Sequence, residues 1–317
     1  MRRHSKNPVL GPRRNFWESL AVFNPGAVRL GDRTHVLYRA IGEDGISRLG
    51  HASSENGFDF DKRSDSPVFS MLRPGRSGKY SFVLYPSGGS WGGSEDPRIV
   101  KIGDRIYVTF NAFDGWDFVR AALVSISEED FLAGRWNWSD VMFLSPEGEV
   151  HKNWVLFPEK IRGRFAILHS ITPEVQVDYV DSLEDLGSGK EVIRSRHGQR
   201  SHGRWDAWVR SAGPPPVRTE KGWLVLYHAI EASDPGRYKM GAMLLDLEDP
   251  RKVIARSGSP IFSPDTPYEN DWKPGVVYAC GAVLDGDEIR VYYGGGDKTV
   301  SVASAPLSEI LKRLAVV

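Results

Sequence analysis

The stretch "EDPRIVKIGDRIYVTFNA", Glu95 to Ala112, decides how the rest of the chain reads. Ile99, Ile102, Ile106, Val108 and Phe110 supply the apolar positions of two strands around a tight Gly103-Asp104 turn. The layout recurs in "NPGAVRLGDRTHVLYRA" (from Asn24), "NWVLFPEKIRGRFAILHS" (from Asn153), "GPPPVRTEKGWLVLYHA" (from Gly213) and "ACGAVLDGDEIRVYYGG" (from Ala279). A third stretch of strand character follows each hairpin: "SRLGHASS", "VRAALVSI", "VQVDYVDS", "MGAMLLDL" and "VSVASAPL". Units of three or four strands, very roughly 57–71 residues apart, predict an all-β chain closed as a five-bladed β-propeller. Helical character is confined to "SEEDFLAG" and the C-terminal "PLSEILKRLAVV", which predicts a short C-terminal helix. Residues 1–317 read as a single domain with blades starting near 24, 95, 153, 213 and 279. Two β-sandwiches, the rival architecture, would not need five units aligned on the same turn.

A chain of 317 residues with 40% hydrophobic content can bury a large core. Lys plus Arg equals Asp plus Glu at 41 each, so no net field draws it to nucleic acid or to an anionic membrane. One cysteine, Cys280 in "VVYACGAVL", builds neither a disulfide framework nor a thiolate metal cluster within one chain. The basic N-terminus lacks the apolar core of a secretory signal and no run reaches 18 apolar residues, so a cytoplasmic location is expected. The eight histidines form no HxxxH or HExxH pair, and "GGGD" at Gly294–Asp297 has no GKS or GKT partner. No metal, nucleotide or other cofactor is expected; a homo-oligomer is compatible with the sequence.

In a propeller, equivalent positions of successive blades converge on one axis, so the repeat alignment locates the site. The position ending the second strand reads Arg39, Asn111, Ser170, His228 and Gly294, and the entry to the first strand reads Asn24 in unit one and Asp96 in unit two. Such polar groups suit the vicinal hydroxyls of a sugar, with Trp91, Trp116, Tyr38 or Tyr227 as flat faces for a pyranose ring. Trp91 is preferred among these because it lies in the Gly/Ser-rich "PSGGSWGGSEDPR". The segment Met71–Gly93 is expected to cap the mouth and shape the choice of acceptor.

The order "NPGAV", "SRLGHASS", "EDPRIVKI", "LFPEKIRGRF", "GPPPV", "GWLVLYHA", "GAMLLDLEDP" and "YYGGGD" resembles glycoside hydrolase family 130 from Asn24 to about Leu311. Members are five-bladed propellers acting on β-mannosides. Many are inverting phosphorylases that release mannose 1-phosphate, and others are β-1,2-mannosidases that use water. The resemblance implies that Asp96 is the general acid, its proton travelling to the leaving oxygen through a mannose hydroxyl. Asn24, Arg39, Glu95, Arg98, Asn111, Asp114, Asn153 and Asp297 make up the expected sugar-binding set. Glu95 would raise the Asp96 pKa by like-charge repulsion and Arg98 would oppose it.

An inverting hydrolase needs a carboxylate base to activate water, whereas phosphorolysis needs cationic donors to hold an anion that is already nucleophilic. The expected phosphate-binding residues are Lys152, Lys160, Arg210 and His228, the last in "YHA", resembling the "YHG" of the phosphorylases. "ILHS" puts Ser170 where phosphorylases of this type commonly carry arginine, and "VHKNW" puts Asn153 where "NKD" has an acid. Glu159 of "FPEK" is the candidate base of a hydrolase. Phosphorolysis of β-mannosides, with inorganic phosphate as co-substrate, is the reading taken. Hydrolysis is its alternative, and a non-catalytic sugar-binding propeller is a third. Asn24 at the start of the first unit argues against arabinanase-like or invertase-like chemistry, which places an aspartate there.

Overall fold

The structure, a computed structural model, describes residues 1–71, 86–196 and 204–317. Among these the chain is almost entirely strand, with short α-helices at Glu128–Ala133, Leu183–Gly187 and Leu307–Lys312. None is long and apolar enough to cross a membrane.

Each repeat forms an antiparallel meander. The first two are Ala21–Leu30, Arg33–Ile41, Ile46–Ser54 and Gly92–Ile102, Arg105–Phe113, Val119–Ser127; two parallel pairs, Ile46 to Gly92 and Ser47 to Gly93, join them into one eight-stranded sheet. The third is shorter, Val155–Leu156, Phe165–Ser170 and Gln176–Val180. In the fourth, the first strand is split into Trp208–Ala212 and Val217–Thr219, both paired with Gly222–Glu231. Pro214, Pro215 and Pro216 between them have no N–H for the ladder, so this unit begins five residues before the expected Gly213. The fifth unit, Val277–Asp285, Glu288–Gly295 and Thr299–Pro306, is completed by the N-terminal strand Arg2–Arg3. The C-terminal helix stops at Lys312, and Leu314–Val316 pairs instead with Val253–Ser257 in the fourth unit.

The first strands meet backbone to backbone. A Cβ on Gly26 would lie 2.5 Å from Pro97 O, and one on Gly281 would lie 2.4 Å from Ala27 N. Only glycine permits those approaches, which bring the entry residues of neighbouring units together. The apolar clusters lie farther out, between facing sheets: Phe157, Trp223, Val225 and Met243 in one, and Leu37, Ile106, Val108 and Phe131 in another. Each such fully buried side chain contributes roughly 1.5–3 kcal/mol.

A repeated lock immobilises the second strand in three units. Tyr38 donates to Glu18 at 2.9 Å, Tyr227 to Asp206 at 2.7 Å and Tyr293 to Glu269 at 2.8 Å. The acids are paired in turn by Arg63, Arg256 and Arg3. Each tyrosine directly precedes one of the aligned positions Arg39, His228 and Gly294. Tyr38 and Tyr227 are therefore fully buried structural residues and cannot be the sugar platforms that the sequence suggested.

Candidate active site

Asn24, Asp96 and Asn153 share a left-handed backbone, with φ of 47°, 51° and 64°. Asn and Asp tolerate this region better than other residues carrying a Cβ. At the first two, strand pairing slips, between Phe23 and Gly26 and between Glu95 and Arg98, and the following Pro25 and Pro97 have no N–H to lose. The three residues enter a cavity of about 500 Å³, whose lining also includes Arg39, Lys152, Arg210, Lys273 and Asp297.

Asp96 is nearly buried, and its two oxygens are treated differently. Oδ1 accepts from Asn24 Nδ2 at 2.8 Å and from Arg39 Nη1 at 3.2 Å; Oδ2 has one long contact with Asn111 Nδ2, at 3.4 Å. Burial alone would raise the Asp96 pKa, but the Arg39 and Arg98 guanidiniums, the Asn24 amide and Lys152 outweigh it and hold the carboxyl below its usual range. The cations, and not the like charge of Glu95, set the direction of the shift.

Several expected sugar contacts lie behind this wall. Glu95 is fully buried and ties Arg39 Nη2 (3.0 Å), Lys152 Nζ (2.7 Å) and Ser87 Oγ (2.8 Å) together. Arg98 donates to Gly213 O (2.8 Å), Asp96 O (2.7 Å) and Asn153 Oδ1 (3.0 Å). Asn111 accepts the Asn153 N–H at 2.7 Å and donates to its Oδ1 at 3.1 Å. None of these three lines the cavity; they orient the residues that do.

Other expectations are corrected. His228 is fully buried, its Nε2 accepts the Ala279 N–H at 2.9 Å, and its ring stacks on Tyr278 at 3.9 Å. Burial and then Arg98 push its pKa down to about 3, so it is a neutral packing residue and not a phosphate cation. Glu159 lies at the surface, 2.9 Å from Arg218, and Lys160 sits exposed over the Phe165 ring, both away from the cavity. Asp114 lies outside the lining, in the turn where its N–H donates to Phe118 O. Trp91 packs beside Gly45 and does not line the cavity, whereas Trp116 does. Of the expected cap at Met71–Gly93, residues 72–85 lie outside the described residues; Pro86, Ser87 and Gly88 line the cavity.

Lys273, Tyr238, Tyr278 and Trp208 line the cavity without having been singled out. Lys273 Nζ is 2.9 Å from Asp297 Oδ2, whose charge raises the Lys273 pKa against the opposing effect of burial. Arg210 is exposed, 4.8 Å from the Trp208 ring and 5.8 Å from that of Tyr238. These residues stand outside the strand positions that the hairpin alignment compares. A cation flanked by aromatics, as in "WVR" and "DWKPG", was the available signal. Among the described residues no three His, Cys, Asp or Glu side chains cluster as metal ligands.

The family model described as beta-1,4-mannooligosaccharide phosphorylase, glycoside hydrolase family 130, matches residues 3–315. A 1,2-beta-oligomannan phosphorylase of Thermoanaerobacter sp. (strain X514) is 35% identical over 98% of both chains. A beta-1,2-mannobiose phosphorylase of the same organism is 32% identical over 95% of both. The solved beta-1,2-mannobiose phosphorylase from Listeria innocua, in complex with beta-1,2-mannobiose, superposes with a TM-score of 0.74 at 25% identity, covering 98% of each chain.

Proposed function

The chain belongs to glycoside hydrolase family 130, and from that premise we propose that it is an inverting β-mannoside phosphorylase acting on β-1,2-linked mannose. Its five meanders are read as the blades of one propeller domain spanning residues 1–317. The surplus of cations in the cavity carries the reading. Among the described residues Arg39, Lys152, Arg210 and Lys273 line the cavity with two carboxylates, Asp96 and Asp297, and behind the wall Glu95 pairs with Arg39 and Lys152 while Arg98 adds a further cation. A phosphate dianion needs that surplus, and a hydrolase needs a spare carboxylate instead. Asp297 is committed to Lys273 and Glu159 is remote, which leaves water without a free carboxylate base among the described lining residues.

Phosphate attacks the anomeric carbon from the face opposite the leaving oxygen; the C1–O bond breaks, a C1–O–P linkage forms, and Asp96 gives its proton to the leaving oxygen through a mannose hydroxyl. Arg39, Asn153 and Asp297 hold the mannosyl unit, with Trp116 as its flat neighbour, and Asn24 bears on it through Asp96. Arg210 and Lys152 hold phosphate, Arg210 supplying the charge that Ser170 lacks. Bound phosphate also offsets the positive charge around Asp96, which raises its pKa towards that of a working acid. The balanced charge and lone buried Cys280 fit a cytoplasmic setting.

Ser170 favours the second reading, hydrolysis: position 170 itself carries no cation, and its hydroxyl turns to Thr172 O and Arg196 O. The experiment that separates the two is incubation with β-1,2-mannobiose with and without inorganic phosphate. Mannose 1-phosphate formed only with phosphate supports phosphorolysis; free mannose at an unchanged rate without phosphate overturns it.

A further inference from the structure

Oδ1 of Asp96 already accepts two donors, one of them a guanidinium, so a proton there would meet N–H groups at 2.8 and 3.2 Å. Oδ2 has only the 3.4 Å contact with Asn111, whose amide is shared with Asn153. The inequality traces to Asn24. Its Nδ2 is committed to Asp96, and its own Oδ1 is buried with no partner. Gly294, at the aligned position of the fifth unit, makes room for it: a Cβ there would lie 2.2 Å from Asn24 Oδ1. Turning the amide over would set its oxygen against an Asp96 carboxylate oxygen, so the donor orientation is the one an ionised Asp96 accepts.

We propose that Asn24 is a positioning residue that reserves Oδ2 of Asp96 for the catalytic proton by holding Oδ1 as an acceptor. This rests on Asp96 being the general acid. The charged groups facing Asp96 are Arg39 from strand Arg33–Ile41, Arg98 on its own strand and Lys152 from the third unit. Glu95 and Asp297 reach it through Arg39, while His228, Tyr278 and Cys280 are neutral neighbours. Asn24 can be changed to its isosteric acid with the left-handed backbone retained, since Asp tolerates that region.

The test is the pH profile of kcat/KM on β-1,2-mannobiose with phosphate, for the native protein, Asn24→Asp and Asn24→Gly. Glycine accepts the same φ without strain. A general acid works only while protonated, so its ionisation sets the alkaline limb. Losing the Asn24 donor moves that limb to higher pH in both variants. Asn24→Asp moves it farther, by about one unit or more, because two facing carboxyls share a proton. Limbs that stay in place while rates fall equally at all pH values overturn the proposal and leave Asp96 as the acid. Turnover persisting in Asp96→Asn sinks the underlying reading and the proposal with it. The carboxyl C=O stretch that disappears in Asp96→Asn gives a second readout independent of turnover: its pH midpoint must rise in Asn24→Gly, and an unmoved midpoint overturns the proposal.

Discussion

Asp96 is surrounded by Arg39, Arg98 and Lys152, and these charges decide what its carboxyl can do. Replacing it by Asn keeps the shape and removes the proton. Asp96→Asn is expected to lower kcat about 10²–10⁴-fold while leaving sugar binding by calorimetry within a few-fold. Arg210 lines the cavity as an exposed cation beside Trp208 and Tyr238, so Arg210→Ala should raise the KM for phosphate at least tenfold and leave the KM for mannobiose nearly unchanged; equal changes in both would remove it from the anion site. The repeat puts Asp96, Asn24 and Arg39 at matching strand ends, and the structure brings the three to one cavity. Glu95, Arg98 and Asn111, expected to touch the sugar, lie behind the cavity wall instead. A sequence marks a polar group at a strand end; whether it faces the cavity or the wall behind depends on a half-turn of backbone.

At the level of elements, the tyrosine locks make the second strands rigid. Gly50 and Gly241 stand opposite Tyr38 and Tyr227, and a Cβ on either would lie 2.3 Å from the tyrosine Cζ. Gly50→Ala and Gly241→Ala should each cost about 1–3 kcal/mol, seen as a matching fall in urea midpoint; a neutral result in either would mean that its lock is slack. The first two units are joined by a different device. His35 Nδ1 and His51 Nε2 lie 3.0 Å apart, packed against Phe131 and Trp136. Burial, then Arg33 and Lys62, lowers the His35 pKa to about 4 against the opposing pull of Asp32; burial, then His35, lowers that of His51 to about 3. The unfolded chain takes up these protons near pH 6.5, before the folded one does, so their stabilising contribution is present above that pH and is lost as pH falls towards 4. The melting temperature should drop over that window, and His51→Gln should flatten the slope. No motif in the sequence pairs His51 with His35, because the partner lies on the neighbouring strand, 16 residues away.

Across the whole molecule, the two ends of the chain complete neighbouring sheets. Arg3 on the N-terminal strand pairs with Glu269, whose side chain is fully buried, at 2.7 Å. Removing the cation leaves that carboxylate with the Tyr293 hydroxyl and the Asp265 and Thr266 amides. Arg3→Ala should therefore cost about 3 kcal/mol by chemical denaturation, with kcat on the native substrate little altered, since Arg3 does not line the cavity. The sequence by itself determined the all-β character, the five hairpin repeats and the polar strand ends, because strand alternation and turn glycines are local and recur along the chain. It also carried the family. Only the tertiary structure decided that His228 is a neutral packing residue, that Glu159 is remote, and that Lys273 and Trp208 reach the cavity. Burial and the charges of distant strands set those properties, and neither is encoded in the residues on either side.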